Sequence, residues 1–138
     1  MTNPLPDRFA GWCLPRHPRS VGRSRMLLRE QAQEWQLPEP EAETAVLLLS
    51  ELMTNACRHV RAAPGREISA RCVIVGKTLR VEVSDAGDGL PRERNASPGD
   101  ESGRGLALVA ALATAWDVRT RPHGIGKTVW FELETHRP

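Results

Sequence analysis

The sequence predicts an α+β fold: a two-layer α/β sandwich whose mixed, mostly antiparallel sheet carries its helices on one face. Three observations lead there. Helical patterns come in a run, strand patterns come in neighbouring pairs joined by short turn signals, and the element order reads β-α-α-β-β-loop-α-β-β. At 138 residues the chain can build one real core and is too short for two domains of ordinary size, so residues 1–138 read as a single domain.

The first element, FAGWCLP (Phe9 to Pro15), reads as a short strand ended by prolines. Ser20 follows as a candidate N-cap for a helix running to about Leu37, with Val21, Leu28, Ala32 and Trp35 in one apolar stripe. PEPE interrupts, and a second helix spans Glu41 to Arg61 with Ala45, Leu48, Leu49, Leu52, Met53 and Ala56 inward. Beyond AAPG the period changes to two. EISARCVIV, the turn signal Gly76-Lys77 and TLRVEVSD form a hairpin. AGDGLPRERNASPGDESG has no periodicity and is a loop of a length usually tied to function. A third helix starts near Gly103 and carries LALVAALATAW to Trp116, and the strands DVRTR and KTVWFELE close the chain around PHGIG.

Composition narrows the function classes. Hydrophobic residues make up 40% and charged residues 26%, as in soluble globular proteins. The longest apolar stretch, Gly105 to Trp116, is too short to span a bilayer, and MTNPLPDRFAG lacks the apolar segment of a signal peptide, so a cytoplasmic location is expected. Cys13, Cys57 and Cys72 are odd in number and widely spaced, which suits reduced thiols better than a disulfide framework or a zinc site. The net charge of +2, from 19 basic and 17 acidic residues, argues against nucleic-acid binding over the whole surface. Arg16, Arg19, Arg23 and Arg25 cluster within PRHPRSVGRSR, either as a solvated helix start or as a docking surface for an acidic partner.

Some polar residues stand where apolar ones are expected. On TLRVEVSD, Leu79, Val81, Val83 and Asp85 share one face, so an acid ends the buried row. Asp85 either caps the following loop or accepts a hydrogen bond from a ligand N–H. Gly87 and Gly89 in DAGDG permit a close backbone approach, and the glycines of GRG (Gly103, Gly105) open a helix whose free amides face the loop, a phosphate-binding arrangement. Glu51 and Asn55, one turn apart, interrupt the richest apolar part of the second helix. They form either a solvated polar edge or a nucleotide site, where the amide oxygen ligates Mg²⁺ and the carboxylate takes a proton. GIGKT is not a P-loop: Arg121 stands where the motif needs glycine, and a strand follows instead of a helix.

In this order, E-L-x-x-N-A-x-x-H, D-x-G-x-G, G-x-G-L and G-K-T-V-W-F resemble the GHKL superfamily, whose ATP-binding (Bergerat) fold is shared by gyrase, a large chaperone, histidine kinases and mismatch-repair ATPases. The resemblance runs from about residue 15 to 134. The length and the lead-in Ser20, Val21, Arg25 are most similar to the bacterial anti-sigma factor serine/threonine kinases, which bind a sigma factor and phosphorylate a small antagonist protein. The resemblance implies ATP and Mg²⁺ as cofactors, Glu51 as catalytic base, Asn55 as metal ligand and Asp85 as acceptor of the adenine amino group. It also implies Gly87 and Gly89 beneath the base, and Gly103, Gly105 and Leu106 at the phosphate-facing helix, with Arg104 either touching phosphate or pointing to solvent. Thr128 would help bind adenine, and residues 90–102 would form an ATP lid. His59 falls on the pattern as a structural histidine. The implied partners are a sigma factor, an antagonist of the STAS type and a second copy of the chain, gripped through the helix bearing Arg25 and Arg29. Three alternatives differ in class: a non-catalytic nucleotide-binding module, a DNA-binding regulator using the basic cluster, and a detached histidine-kinase catalytic domain, which the absence of a phosphoacceptor-histidine hairpin disfavours.

Overall fold

Apolar residues at alternate positions build strands, and those at every third or fourth position build helices; among the described residues this chain switches between the two periods four times. In the computed structural model it forms β1 (Arg8–Pro15), α1 (Arg19–Glu34), α2 (Glu39–Arg58), β2 (Glu67–Val75), β3 (Thr78–Asp85), α3 (Glu101–Leu112), β4 (Ala115–Thr120) and β5 (Lys127–Glu134). The structure describes residues 8–58, 67–85, 101–120 and 126–136, for 58 and 101–105 the backbone only.

The five strands form one sheet in the order β1-β2-β3-β5-β4, and all four pairings are antiparallel. Gly76, with φ 61°, takes the left-handed conformation that the two-residue turn between β2 and β3 requires. The helices lie on one face. There Ile68, Ala70, Cys72 and Ile74 of β2, Leu79, Val81 and Val83 of β3, and Val129, Phe131 and Leu133 of β5 are buried against Leu48, Leu49, Leu52 and Met53 of α2. The other face carries charge. Arg80 lies 3.9 Å from the Trp130 ring centroid and pairs with Glu82 at 2.8 Å and Glu132 at 3.0 Å. Both ends of the described chain leave by the β2–β3 turn, since Arg8 stands opposite Ile74 and the Thr135 amide donates to the Lys77 carbonyl at 2.7 Å.

Several helix boundaries differ from expectation. Ser20 is not the N-cap: it lies inside α1, buried, and its hydroxyl donates to the Pro15 carbonyl at 2.6 Å, while Ser24 below it accepts from the Trp12 indole N–H at 3.1 Å. These two bonds fasten α1 to the end of β1. The helix stops at Glu34 rather than Leu37, because Gln36 turns left-handed (φ 59°) and the amides of Gln36 and Leu37 return to the carbonyls of Gln33 and Ala32. The third helix spans Glu101 to Leu112 rather than Gly103 to Trp116. An acidic residue in the first turn suits the helix dipole, and at the far end the Thr114 amide and hydroxyl both donate to the Glu132 carbonyl, drawing Trp116 into the sheet beside Phe131. Helix α2 begins two residues earlier than expected and is described to Arg58, so the expected end at Arg61 lies outside the described residues.

Two outcomes follow. A glutamine at φ 59° carries a steric cost that glycine lacks, so Gln36→Gly should raise the unfolding free energy by about 0.5–1 kcal/mol, read from urea denaturation; a loss would show that the side chain itself supports the cap. Burial pushes the Cys72 thiol up from 9.0 to about 12. The neutral thiol is thus favoured by folding, and its contribution is whole below pH 9.0 and drains as pH climbs toward 12. Thiol labelling at neutral pH should therefore modify exposed Cys13 first, with Cys72 reacting only on unfolding or in that alkaline window.

Candidate functional site

The candidate site stands at the end of the sheet away from the β2–β3 turn, where α2, α3 and the ends of β3 and β5 converge. Helix α2 packs on α1, on α3 and across β3 and β5. Its core stripe leaves one edge polar. Glu51 and Asn55 share that edge, separated by one turn, a rise of about 6 Å. Glu51 is partly exposed, whereas Asn55 is 6% exposed and its Oδ1 is shielded from solvent and has no hydrogen-bond partner among the described residues. Leaving a buried acceptor unsatisfied costs about 1–3 kcal/mol, which a fold does not retain idly.

On β3 the expected face is observed: Leu79, Val81, Val83 and Asp85 point to the helices, and Asp85 is 5% exposed. It ends the row, flanked by Ile68 on β2 and Lys127 on β5. Thr128 departs from its assigned place. In the register it stands opposite Ser84, on the face away from the helices, and the two hydroxyls meet at 2.8 Å. The strand period puts its neighbour Lys127, and not Thr128, beside Asp85. Lys127 is not among the residues that the motifs single out, although the alternation of apolar residues along KTVWFELE already puts it on the face of Val129, Phe131 and Leu133.

The glycines divide. Gly87 and Gly89, with His59 and most of the expected lid (90–100), lie outside the described residues; the last two positions of that stretch, 101 and 102, already belong to α3. Gly103 falls within the first turn of α3, among the amides that have no partner inside a helix, and Arg104 and Gly105 follow. Leu106 is partly buried against the core, next to fully buried Val109. Arg25 and Arg29, at the expected partner surface, are tied to α2: Arg25 donates to the Ser50 hydroxyl at 3.0 Å, and Arg29 pairs with Glu43 at 3.2 Å. Beside them a cleft of about 790 Å³ is lined by Leu14, Pro15, Arg19, Arg23, Met26 and Arg29.

The donor set suits a hard cation. A buried amide oxygen without a partner among the described residues could serve as one ligand of such a cation, and among the described residues no group of three or more His, Cys, Asp or Glu could hold a metal alone. Such a site needs oxygens from a bound phosphate or water, the usual manner of Mg²⁺. Among the described residues no helix is long and apolar enough to cross a membrane.

Comparison with known proteins agrees with this geometry. The profile of the histidine kinase-like ATPase domain matches residues 14–133. No curated protein matches the sequence. Among solved structures, the Erythrobacter litoralis EL346 blue-light activated histidine kinase superposes with TM-score 0.54 at 25% identity, over 71% of this chain and 31% of that one. The histidine kinase domain from the same protein superposes with TM-score 0.54 at 22% identity, over 88% of this chain and 61% of that one, a likeness of fold alone. The chain thus spans about a third to three fifths of the solved chains it resembles.

Because the Asn55 oxygen has no partner among the described residues, Asn55→Ala removes an unsatisfied group along with some packing. The two effects oppose, and stability in urea should stay within about 1 kcal/mol of the parent. A loss of about 3 kcal/mol or more would reveal a partner for that oxygen.

Proposed function

Because the chain belongs to the histidine kinase-like ATPase domain family, we propose that it is an ATP- and Mg²⁺-dependent anti-sigma factor serine/threonine kinase, transferring the γ-phosphoryl group to an antagonist protein and restraining a sigma factor. The observation that carries this reading is the pairing, one turn apart on α2, of a partly exposed carboxylate with a buried, unpartnered amide oxygen. ATP binding and kinase-like chemistry belong to the family; the protein acceptor is the step added here.

Each residue has a physical task. Asp85, at the dry end of β3, accepts a hydrogen bond from the adenine amino group. The first-turn amide of α3 at Gly103 faces the phosphates, where the positive end of the helix dipole favours negative charge. Asn55 Oδ1 would hold Mg²⁺, which when bound offsets charge on the phosphate oxygens. Glu51 takes the proton from the acceptor hydroxyl as its oxygen bonds to the γ-phosphorus and the bond to the bridging oxygen of ADP breaks. Partial exposure fits that role, since a protein substrate must reach the carboxylate. For the partners, the cleft along α1 combines apolar Leu14, Pro15 and Met26 with arginines, which suits an acidic protein surface or a second copy of the chain. A cytoplasmic location is part of the proposal.

Glu51→Ala should retain ATP affinity within a few-fold and lower radiolabel transfer to a serine-bearing antagonist by about 10²-fold or more. Equal transfer by parent and variant would end the general-base assignment. Nucleotide binding without transfer to any antagonist, unaffected by the substitution, would favour a nucleotide-ordered binding module.

A further inference from the structure

The side chain that the register brings to Asp85 belongs to Lys127. Directly opposed residues of an antiparallel pair have Cβ atoms about 4.5–5.5 Å apart and share a face, so the flexible Lys127 stem, which makes no ion pair with Asp85, leaves the backbone on the same face as the carboxylate that ends the core row and within its reach. The backbone fixes this placement: buried Gly126, at φ 79°, turns the chain into β5 immediately before Lys127, and the Ser84–Thr128 hydroxyl bond on the opposite face holds the same register. Lys127 is partly exposed, at the open end of the row, with Thr120 of β4 on its other side.

A carboxylate alone reads a purine in one way. It accepts from the amino group of a 6-aminopurine and repels the oxygen of a 6-oxopurine, an acceptor set against an acceptor. A carboxylate beside an ammonium reads both. Adenine would donate its amino group to Asp85 and accept from Lys127 at N1. Hypoxanthine would donate its N1–H to Asp85 and accept from Lys127 at O6, a shift that the four-carbon stem can follow.

We propose that Lys127 is a base-reading residue, and that the Asp85–Lys127 pair admits 6-oxopurine nucleoside triphosphates as well as ATP. This rests on the nucleotide site proposed above. The plainer role for Lys127, offsetting the charge of Asp85, would strengthen or weaken all purines alike, so base dependence separates the two.

The test compares ATP with inosine triphosphate, which differs from it only in the hypoxanthine base, by calorimetry in Mg²⁺ with the full chain. The parent should bind inosine triphosphate within about tenfold of ATP; Lys127→Met should lose about tenfold for ATP and about 100-fold or more for inosine triphosphate, because the oxygen then faces the carboxylate alone. Lys127→Arg, which keeps a charged donor, should restore most of the difference, and thermal unfolding of both variants checks that they fold. ATP binding with inosine triphosphate rejected by more than about 100-fold in the parent, or equal losses for both nucleotides in Lys127→Met, overturns the proposal and leaves the ATP site standing. Binding of neither nucleotide to the parent overturns both.

Discussion

The fold depends on how α2 is seated. One face of this helix must bury Leu48, Leu49, Leu52 and Met53 on β3 and β5, where all four side chains are almost wholly removed from water. Full burial of such side chains is worth about 1.5–3 kcal/mol each, far more than the cost of one unsatisfied amide. The helix therefore cannot roll to relieve Asn55 without losing its core face. Its polar edge is held in place by packing that has nothing to do with polarity. A dry, unpaired oxygen persists because the hydrophobic stripe next to it outweighs it.

The same logic explains what could be read in the sequence. Period-two alternation was enough to put Asp85 on the core face and to draw the β2–β3 hairpin, because each depends on neighbours along the chain. The α2 core stripe was legible for the same reason. Ser20 and Ser24 were not, since a serine on an apolar stripe reads as a cap or a flaw until its long-range partner is known; here the partners are Pro15 and Trp12. Trp116 was assigned to a helix because the apolar run from Gly105 does not break, and only the pull of Glu132 on Thr114 ends that helix early. Thr128 shows a further limit. A motif fixes residue types, while function at a sheet depends on faces, and a difference of one position reverses the face.

The face without helices explains why there are only two layers. Arg80, Glu82, Glu132 and Arg71 alternate in sign across the central strands, with Arg80 stacked on Trp130 and Arg71 over Phe9. These groups are partly solvated and individually contribute little to stability. Together they make that surface costly to cover with an apolar layer, because every pair would have to be desolvated. The sheet is thus dry on one side only, and a ligand entering the candidate site meets the dry side at its open end.

The exit of both chain ends beside the Gly76-Lys77 turn has an architectural consequence. Eight-residue strands separate that turn from the row holding Asp85 and Lys127, a span of about 25 Å. The His136 amide is also fastened to the Glu41 carboxylate at 2.9 Å, near the start of α2. Chain leaving at residue 8 or residue 136 therefore starts from the far rim of the sheet. A pull applied at those two residues would load that rim while leaving clear the approach by which a nucleotide and a protein substrate would arrive.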